Sequence, residues 1–253
     1  MNFLDSIILG IIEGITEFLP VSSTGHLILA SAVLKLSQSD FLKSFEISIQ
    51  LGAILSVIVL YARSLLKNIE LIKKTIVAFL PTGILGLAFY KIIKHYLLGN
   101  QNVVIASLFI GGILLILFEL WQSKQAEGSE EISYRQALLI GLCQSVSMIP
   151  GVSRSAATII GGMLLGIERK KIVEFSFLLA IPTMGAATGL DLLKNAHTFT
   201  MDQIQILVTG FIVSFVVALL AVKFFLRYIQ HHTFIAFGIY RILLAIGVLL
   251  YFR

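Results

Sequence analysis

Residues 10–27 contain side chains whose types and spacing could carry out catalysis. Glu13 and Glu17 are four residues apart, so on a helix both carboxylates project from one face. Ser23 offers a hydroxyl that can act as a nucleophile, and His26, three residues later, can accept its proton. Glu17 can serve as the base instead, and either base could activate a water molecule. We therefore predict catalytic roles for Glu17, Ser23 and His26.

Residues 141–158 supply the positive charge that the acidic stretch lacks. Arg154 carries a planar fork of N–H donors that suits a phosphate group, and Gly151 lets the backbone approach a ligand closely. We therefore add Arg154 to the predicted catalytic residues. The alternative is a purely structural ion pair between Arg154 and Glu13 or Glu17, and the two roles are compatible.

The elements that carry these residues must lie in a membrane. The chain of 253 residues is 57% hydrophobic and 13% charged, with a mean hydropathy of +0.95. Its apolar runs are about 20 residues long, which is typical of spanning helices. Ionisable groups at membrane depth are costly and usually functional. The net charge of +5 comes mostly from loops, so it reflects sidedness and anionic lipid and does not indicate nucleic acid.

A proline interrupts each of the two polar stretches. Pro20 is predicted to end one helix, and Ser22, Ser23 and Thr24 are candidate N-caps of the next. Each half is about 14 residues long, too short to cross roughly 30 Å of hydrocarbon at about 1.5 Å per residue. Pro150 divides the second stretch in the same way. We predict two re-entrant hairpins with polar tips inside the membrane. A Pro-kinked transmembrane helix with incidental polar residues is the alternative.

The order of the apolar segments indicates an internal duplication. Glu13 aligns with Gln144 and, further on, Phe45 aligns with Phe175. Because a hairpin returns to its own side whereas three spans change sides, the second half must be inverted. The predicted fold is an all-α polytopic membrane protein with an inverted-topology repeat, each half a re-entrant hairpin plus three transmembrane helices. The predicted spans are residues 44–61, 75–92, 103–121, 174–193, 204–226 and 234–252, and a basic loop with Arg63, Lys67, Lys73 and Lys74 is expected between the first two. Repeat 1 covers about residues 1–122, the polar linker about 122–135 and repeat 2 about 134–253.

The basic residues predict the orientation of the protein. One side holds eleven Lys and Arg residues: Arg63, Lys67, Lys73, Lys74, Lys124, Arg135, Arg169, Lys170, Lys171, Lys223 and Arg227. The side of the two termini holds six: Lys35, Lys43, Lys91, Lys94, Lys194 and Arg253. Positive charge accumulates in cytoplasmic loops. The eleven-residue side is therefore predicted to be cytoplasmic, and both termini and the mouth of the site to be extracytoplasmic.

Hairpins that enter from opposite faces bring their tips together near the midplane. The outgoing helices, which begin just after Ser23 and Ser153, then converge with free N–H groups and positive dipole ends, which attract an anion. Opposite them, Glu13 and Glu17 would repel each other at low dielectric unless they share a proton or a cation. A Mg²⁺ or Ca²⁺ ion bridging carboxylate and phosphate oxygens is the cofactor that we expect. Cys143, the single cysteine, excludes an intramolecular disulfide and a cysteine-built metal site.

Two motifs resemble those of a known family. EGITEFLPVSSTGH (residues 13–26) and PGVSRSAAT (residues 150–158) are similar to the two motifs of the undecaprenyl-diphosphate phosphatases, the bacitracin-resistance membrane phosphatases. The similarity extends through nearly the whole chain, including FEISIQLGAI and EFSFLLAIP. The resemblance implies hydrolysis of undecaprenyl diphosphate to the monophosphate, which recycles the lipid carrier of peptidoglycan synthesis in the bacterial cytoplasmic membrane.

The resemblance also implies which residues matter. It carries over to Glu13, Glu17, Ser23, His26, Ser153, Arg154 and Thr158. We expect the diphosphate to contact a wider set: Ser22, Thr24, Gly151, Ser153, Arg154, Ser155 and Thr158. Glu13 and Glu17 are the candidate metal ligands. The expected partners are a polyprenyl diphosphate lipid and the bilayer, with no nucleic acid. The sequence does not decide between a monomer and a homodimer.

Two other functions compete with this one. SSTGH resembles the PSGH element of type-2 phosphatidic-acid phosphatases, but the histidine and aspartate that should follow their SR motif are missing after Ser153 and Arg154. A transporter or flippase of an anionic polyprenyl lipid shares the broken-helix architecture. A carrier has little use for paired glutamates beside a serine and a histidine, so we favour the phosphatase.

Overall fold

The computed structural model describes residues 1–37, 39–89, 100–122, 128–195 and 200–251, with the side chains of all of these except residues 187 and 190–195. Within this part of the chain the protein is helical, with one β-bridge between Ser129 and Ile167. Its helices are α1 (Phe3–Thr16), α2 (Ser23–Val33), α3 (Asp40–Lys67), α4 (Ile69–Ala88), α5 (Gln101–Gln122), α6 (Tyr134–Ser145), α7 (Arg154–Leu164), α8 (Arg169–Asn195), α9 (Met201–Tyr228) and α10 (Ile235–Tyr251).

Four of these helices are long and apolar enough to cross a membrane, namely α3, α4, α5 and α9. The other two predicted spans fall on α8, which has 27 residues, and on α10, which has 17. The prediction of an all-α polytopic membrane protein is confirmed. The ends of two predicted spans, at residues 92 and 252, lie outside the described residues, as do Glu127 of the linker and five of the counted basic residues, Lys91, Lys94, Lys124, the Lys194 side chain and Arg253.

The first polar stretch folds into two short helices joined by a turn. α1 has 14 residues and α2 has 11, which correspond to about 21 and 17 Å. α1 ends at Thr16, before Pro20, although the N–H of Glu17 still donates to the carbonyl of Glu13 at 2.9 Å. The carboxylates of Glu13 and Glu17 therefore keep the helical spacing that the sequence predicts.

Ser22 is the N-cap of α2, and its hydroxyl accepts a hydrogen bond from the N–H of Gly25 at 3.4 Å. Its φ of +71° lies in the left-handed region, which costs free energy for a residue with a side chain. Such strain is maintained only where the surrounding structure enforces it. Of the three candidate caps, the fold thus uses Ser22 and places Ser23 in the first turn of the helix.

The second polar stretch has the same order of elements. α6 has 12 residues, a 3₁₀ turn at Val146–Met148 follows, and α7 has 11 residues. The hydroxyl of Ser153 accepts from the N–H of Ala156 at 3.2 Å, so Ser153 is the N-cap and Arg154 is the first helical residue. Arg154 is thereby held at the tip of the second hairpin.

The spanning helices extend beyond the apolar runs. α3 continues to Lys67 and α4 begins at Ile69, so Asn68 alone separates them where a longer basic loop was expected. Lysine and arginine are good helix formers, and their long side chains can reach the polar interface from a helix end. The prediction of a basic loop was wrong for that reason.

The first helix of each hairpin packs against a long helix of the other half of the chain. α1 packs on α9, and α6 packs on α4, while α3 contacts α8 and α5 contacts α10. A Cβ atom at Gly10 of α1 would lie 2.8 Å from the Gly210 carbonyl oxygen of α9, and one at Gly141 of α6 would lie 2.0 Å from the Ala78 carbonyl oxygen of α4. Only glycine allows these two crossings, which bring both hairpins into the centre of the bundle.

Candidate active site

The two hairpin tips meet, as the sequence predicts. The carbonyl oxygen of Leu19 in the first tip accepts a hydrogen bond from the Ser155 hydroxyl in the second at 2.8 Å. A cavity of about 220 Å³ lies where they meet. It is lined by residues of both tips and of the two central spans: Glu17, Ser22, Ser23, Thr24, Gln50, Ser147, Val152, Ser153, Arg154, Thr183 and Met184.

A hydroxyl, a carboxylate and a guanidinium form a chain of contacts at this cavity. The Oγ atom of Ser23 donates to Oε2 of Glu17 at 2.6 Å, and Nη2 of Arg154 donates to Oε1 of the same carboxylate at 2.8 Å. Ser23 and Glu17 are buried. A nucleophile bonded to a base that a third group orients is the arrangement of nucleophilic catalysis. Glu17 follows α1 and Ser23 begins α2, so both belong to the first tip. Arg154 begins α7 and belongs to the second tip.

Arg154 keeps donor capacity after this ion pair is made. Nη1 donates to the backbone oxygen of Ser176 at 2.7 Å, and the Ser176 hydroxyl shares a hydrogen bond of 2.6 Å with the hydroxyl of Thr158. The guanidinium also lies 5.8 Å from the ring centroid of Phe18. Its Nε atom is buried and lacks a hydrogen-bond partner among the described residues. An unsatisfied buried N–H beside a cavity fits an oxyanion that enters it.

The two ring nitrogens of His26 bond to Ser22 and Tyr240 and not to Ser23. Its Nδ1 contacts the Ser22 carbonyl oxygen at 2.8 Å, and its Nε2 contacts the hydroxyl of Tyr240 at 2.7 Å. Because a carbonyl oxygen only accepts, Nδ1 carries the proton, and the neutral ring accepts from Tyr240 at Nε2. The Tyr240 ring also stacks on the imidazole. His26 therefore supports the strained N-cap, and the group bonded to Ser23 is Glu17.

Glu13 is fully buried, and neither of its carboxylate oxygens has a hydrogen-bond partner among the described residues. A carboxylate in that position needs a proton or a cation. Its oxygens are the hard donors that Mg²⁺ and Ca²⁺ prefer, so this residue fits the predicted metal. No three His, Cys, Asp or Glu side chains of the described residues form a metal site by themselves. Glu13 and Glu17 would therefore need phosphate and water oxygens to complete a coordination shell.

The predicted diphosphate-binding residues divide into three groups. Ser22, Thr24, Ser153 and Arg154 line the cavity. Ser155 and Thr158 are fully buried and bond within the protein, to Leu19 and Ser176. Gly151 has a φ of +88°, and a Cβ atom there would lie 2.6 Å from the Val104 carbonyl oxygen, so it shapes the second tip.

Sequence reasoning did not assign several residues that surround the site. Gln50, Ser147 and Thr183 line the cavity. Ser176 and Tyr240 orient Arg154 and His26, and Arg241 reaches both tips. The available signal was a polar or charged residue inside a long apolar run, since such residues at membrane depth usually face the bundle interior. One sequence alone does not show which of these polar residues contacts which site residue.

Spanning helices around a cavity lined by an arginine, two helix N-termini and a serine–carboxylate pair define an α-helical polytopic membrane protein. The chain belongs to the bacitracin resistance protein BacA family, which matches residues 6–247. This confirms the resemblance of the two motifs.

Curated relatives cover nearly the whole chain. The undecaprenyl-diphosphatase of Aquifex aeolicus is 52% identical over 248 residues, 97% of this chain and 97% of the relative. That of Persephonella marina is 52% identical over 254 residues, 99% of each chain. That of Methanococcus aeolicus is 46% identical over 255 residues, 100% of this chain and 99% of the relative.

Proposed function

We propose that this protein hydrolyses undecaprenyl diphosphate to undecaprenyl phosphate and inorganic phosphate in the membrane. The observation that carries the proposal is the buried chain of Ser23, Glu17 and Arg154 at a cavity between the hairpin tips. The names of relatives about 50% identical over the full chain support the substrate. By releasing the monophosphate, the reaction recycles the lipid carrier for cell-wall polymers.

In the first chemical step, the Ser23 oxygen attacks the terminal phosphorus, and the bond from that phosphorus to the bridging oxygen breaks. Undecaprenyl phosphate leaves, and Glu17 takes the hydroxyl proton. The existing hydrogen bond of 2.6 Å supports Glu17 as the base, since a base must already be within hydrogen-bond reach. Glu17 then gives this proton to the departing undecaprenyl phosphate. In the second step Glu17 accepts a proton from water, which attacks the phosphoserine; the bond from phosphorus to the Ser23 oxygen breaks, Glu17 returns the proton to that oxygen, and phosphate leaves. Direct attack by a water bonded to Glu17 is the alternative.

Phosphoryl transfer depends mainly on stabilising the charge on the phosphoryl oxygens. The Nε–H of Arg154 is buried and has no hydrogen-bond partner in the part of the chain that the structure describes, and the first turns of α2 and α7 begin at the cavity. Preorganised donors of this kind stabilise the transition state without reorganisation. A divalent cation held by Glu13, with Glu17, would neutralise further phosphate charge when bound.

His26 acts in this proposal as a positioning residue. Its Nδ1–H bond to the Ser22 carbonyl supports the left-handed cap, and Tyr240 supports the ring. Residue Ser23 then starts its helix with the hydroxyl directed at Glu17. Loss of the imidazole would therefore remove the hydrogen bond that supports Ser22, but it would leave Glu17, the proton acceptor, in place.

The function is tested by measuring phosphate release from undecaprenyl diphosphate by the purified protein. We expect turnover by the natural sequence and almost none by Glu17→Gln, which keeps the shape but not the basicity of the side chain. Glu70→Gln, on an exposed carboxylate that pairs with Lys73, is the matched control and should retain full activity. Absence of phosphate release from the natural sequence would contradict the proposal. Transport without hydrolysis would then be the remaining function.

We also propose the inverted duplication and the predicted orientation. Gly10 and Gly141 differ by 131 positions, as do Glu13 and Gln144, and both glycines lie where a hairpin helix crosses a long helix of the other half. The count of basic residues assigns several helix ends to the same side of the membrane, and described helix ends of that side contact each other. Arg169 pairs with Glu119, for example, and the Tyr134 hydroxyl donates to Glu70. Both observations support two halves of opposite direction.

A further inference from the structure

Arg241 is a buried charge that the proposed reaction does not use. It lies within the apolar helix α10, and its exposed fraction is 1%. No carboxylate of the described residues lies within ion-pairing distance of it, unlike Arg154 and Arg169. Burying an unpaired guanidinium inside a membrane protein is costly, so the contacts that it makes must compensate.

The contacts of Arg241 join three parts of the molecule. Nη1 donates to the carbonyl oxygen of Pro20 in the first tip at 3.3 Å, and Nη2 donates to that of Gly151 in the second tip at 3.2 Å. Nη2 and Nε also donate to the carbonyl oxygens of Ser107 and Leu108 in α5, at 3.0 and 3.4 Å. One side chain thus bonds both helix breaks and one long helix.

The two tip carbonyls occupy equivalent positions. Pro20 precedes Ser23 by three residues, and Gly151 precedes Arg154 by three residues. A displacement of either carbonyl therefore moves one side of the cavity relative to the other. The planar fork of a guanidinium can bond both carbonyls at once, whereas the single ammonium of lysine is a point charge on a flexible stem.

The neighbouring helix is shaped to hold this fork. A Cβ atom at Gly111 of α5 would lie 2.2 Å from Nη2 of Arg241 and 2.8 Å from its Cζ. Any side chain at position 111 would therefore displace the guanidinium. This glycine provides a way to disturb the bridge without changing Arg241 itself.

We propose that Arg241 is a positioning residue that holds the two hairpin tips in register, so that Ser23 and Glu17 of the first tip face Arg154 of the second. This rests on the proposed phosphatase function only for its kinetic consequence. The bridge itself sets the distance between the two tips, and that distance can be measured without the reaction. Misplacement of a reacting group by about 1 Å costs on the order of 100-fold in rate.

The kinetic test compares Arg241→Lys and Arg241→Gln with the natural protein in phosphate release. We expect kcat to fall by about 100-fold in both, with KM changed by less than about threefold, because the cavity groups remain but lose their alignment. Thermal unfolding of each variant in detergent reports how much of the loss is loss of fold. A fall in kcat that merely follows the folded fraction, or near-normal kcat in Arg241→Gln, would overturn the proposal.

Gly111→Ala is the second variant, and it leaves the arginine in place. Alone, it should lower kcat by a similar factor, because its methyl group displaces the guanidinium. Combined with Arg241→Gln it should add little, since both changes break the same bridge. Gly247→Ala on α10 is the matched control, because a Cβ atom there would meet nothing within 4 Å, and its kcat should be unchanged. Additive losses would contradict a shared mechanism.

A measurement independent of activity examines the bridge directly. Nitroxide labels are placed on Thr24→Cys and Ser147→Cys, which line the cavity from opposite tips, in a Cys143→Ala background. We expect strong dipolar broadening of the EPR spectrum, and a measurable change in that broadening when Arg241→Gln is added. Unchanged broadening would overturn the positioning role. If the broadening changes but the natural sequence releases no phosphate, the proposed function fails and the bridge stands.

Discussion

At the residue scale, one carboxylate connects the proposed nucleophile to the arginine that we propose binds phosphate. Glu17 accepts from Ser23 through one oxygen and from Arg154 through the other. Charge-assisted hydrogen bonds of this length are among the stronger polar contacts in proteins. The ion pair that the sequence offered as a structural alternative is therefore formed. In the proposed reaction it also orients the base, so the three side chains would serve both the fold and the reaction.

Ser23→Ala should separate binding from chemistry. The change removes one oxygen and little volume, so we expect the variant to bind undecaprenyl diphosphate almost normally. Serine attack predicts that single-turnover rates fall by several orders of magnitude. A water mechanism predicts a loss of roughly 10- to 100-fold, from one lost hydrogen bond of about 1.5–3 kcal/mol.

Ser56→Ala is the control for this experiment, because Ser56 is also fully buried and donates a hydrogen bond of 2.6 Å, but to the carbonyl oxygen of Ala53. It should keep its turnover rate. If Ser23→Ala retained a tenth of normal turnover, the serine nucleophile would have to be abandoned.

Arg154→Lys should weaken both binding and catalysis. Lysine keeps the positive charge but cannot donate to Glu17 and Ser176 in the same planar geometry. We expect kcat/KM to fall by about 100-fold, with contributions from both KM and kcat. Arg169→Lys, in the ion pair with Glu119 away from the cavity, should change kcat/KM little. Equal losses in the two variants would mean that Arg154 has only a structural role.

Removal of divalent cations should abolish turnover if Glu13 binds a metal. Both oxygens of this buried carboxylate are unpaired in the described structure, so a cation has a donor there. We expect a chelator to stop phosphate release, and added Mg²⁺ or Ca²⁺ to restore it. Glu13→Gln should require a higher cation concentration. Full activity in excess chelator would restrict the two glutamates to acid–base roles.

At the element scale, the hairpins reach the centre of the bundle because glycines allow close helix crossings. α1 approaches α9 at Gly10 and Gly14, and α6 approaches α4 at Gly141. At each of these glycines a Cβ atom would lie too close to a backbone oxygen of the facing helix. Close backbone approach of this kind drives helix association in membranes, where the hydrophobic effect between helices is weak. Close packing at these glycines therefore holds α1 and α6 in the bundle, although both helices are short.

Gly141→Ala should therefore destabilise the protein. A methyl group at this position would lie 2.0 Å from the Ala78 carbonyl oxygen, so the two helices must separate. We expect a cost of about 1–3 kcal/mol, which is typical of overpacking, measured by thermal unfolding in detergent. Gly247→Ala, whose Cβ atom meets nothing within 4 Å, should leave the unfolding temperature equal or slightly higher. An unchanged unfolding temperature for Gly141→Ala would refute the close crossing.

At the scale of the whole molecule, charge decides which way the bundle lies in the membrane. Basic residues concentrate at the end that carries α3 and α9 C-termini and the start of α8. This end should face the cytoplasm. The cavity between the tips would then receive a lipid diphosphate from the extracytoplasmic side, where the first hairpin has its mouth.

Topology reporters test this orientation. Alkaline phosphatase fused after Arg253 should be active, because that enzyme folds only outside the cytoplasm. A fluorescent protein inserted after Glu130, in the linker, should be fluorescent, because it folds inside. The two fusions exchanged between these sites serve as controls and should be silent. The opposite pattern would place the site opening on the cytoplasmic side.

The sequence by itself determined the membrane class, the two broken polar stretches and the residues that they present. These features depend on local properties: apolar length, proline at a helix end, hydroxyl residues at N-caps and the four-residue spacing of Glu13 and Glu17. The family motifs lie in the same stretches. Such signals do not require knowledge of what packs against them, so they could be read without the fold.

Only the tertiary structure decided which side chains meet. It bonded Ser23 to Glu17 rather than to His26, turned His26 towards Tyr240, and gave Glu13 no hydrogen-bond partner among the described residues. It also brought Arg241, which is 221 residues from Pro20 along the chain, into contact with both tips. The bond from Ser23 to Glu17 forms across one hairpin, whereas the contacts of Tyr240 and Arg241 depend on helix crossings between the two halves of the chain. A period or a motif within one segment carries no information about them, because each partner lies on a different helix.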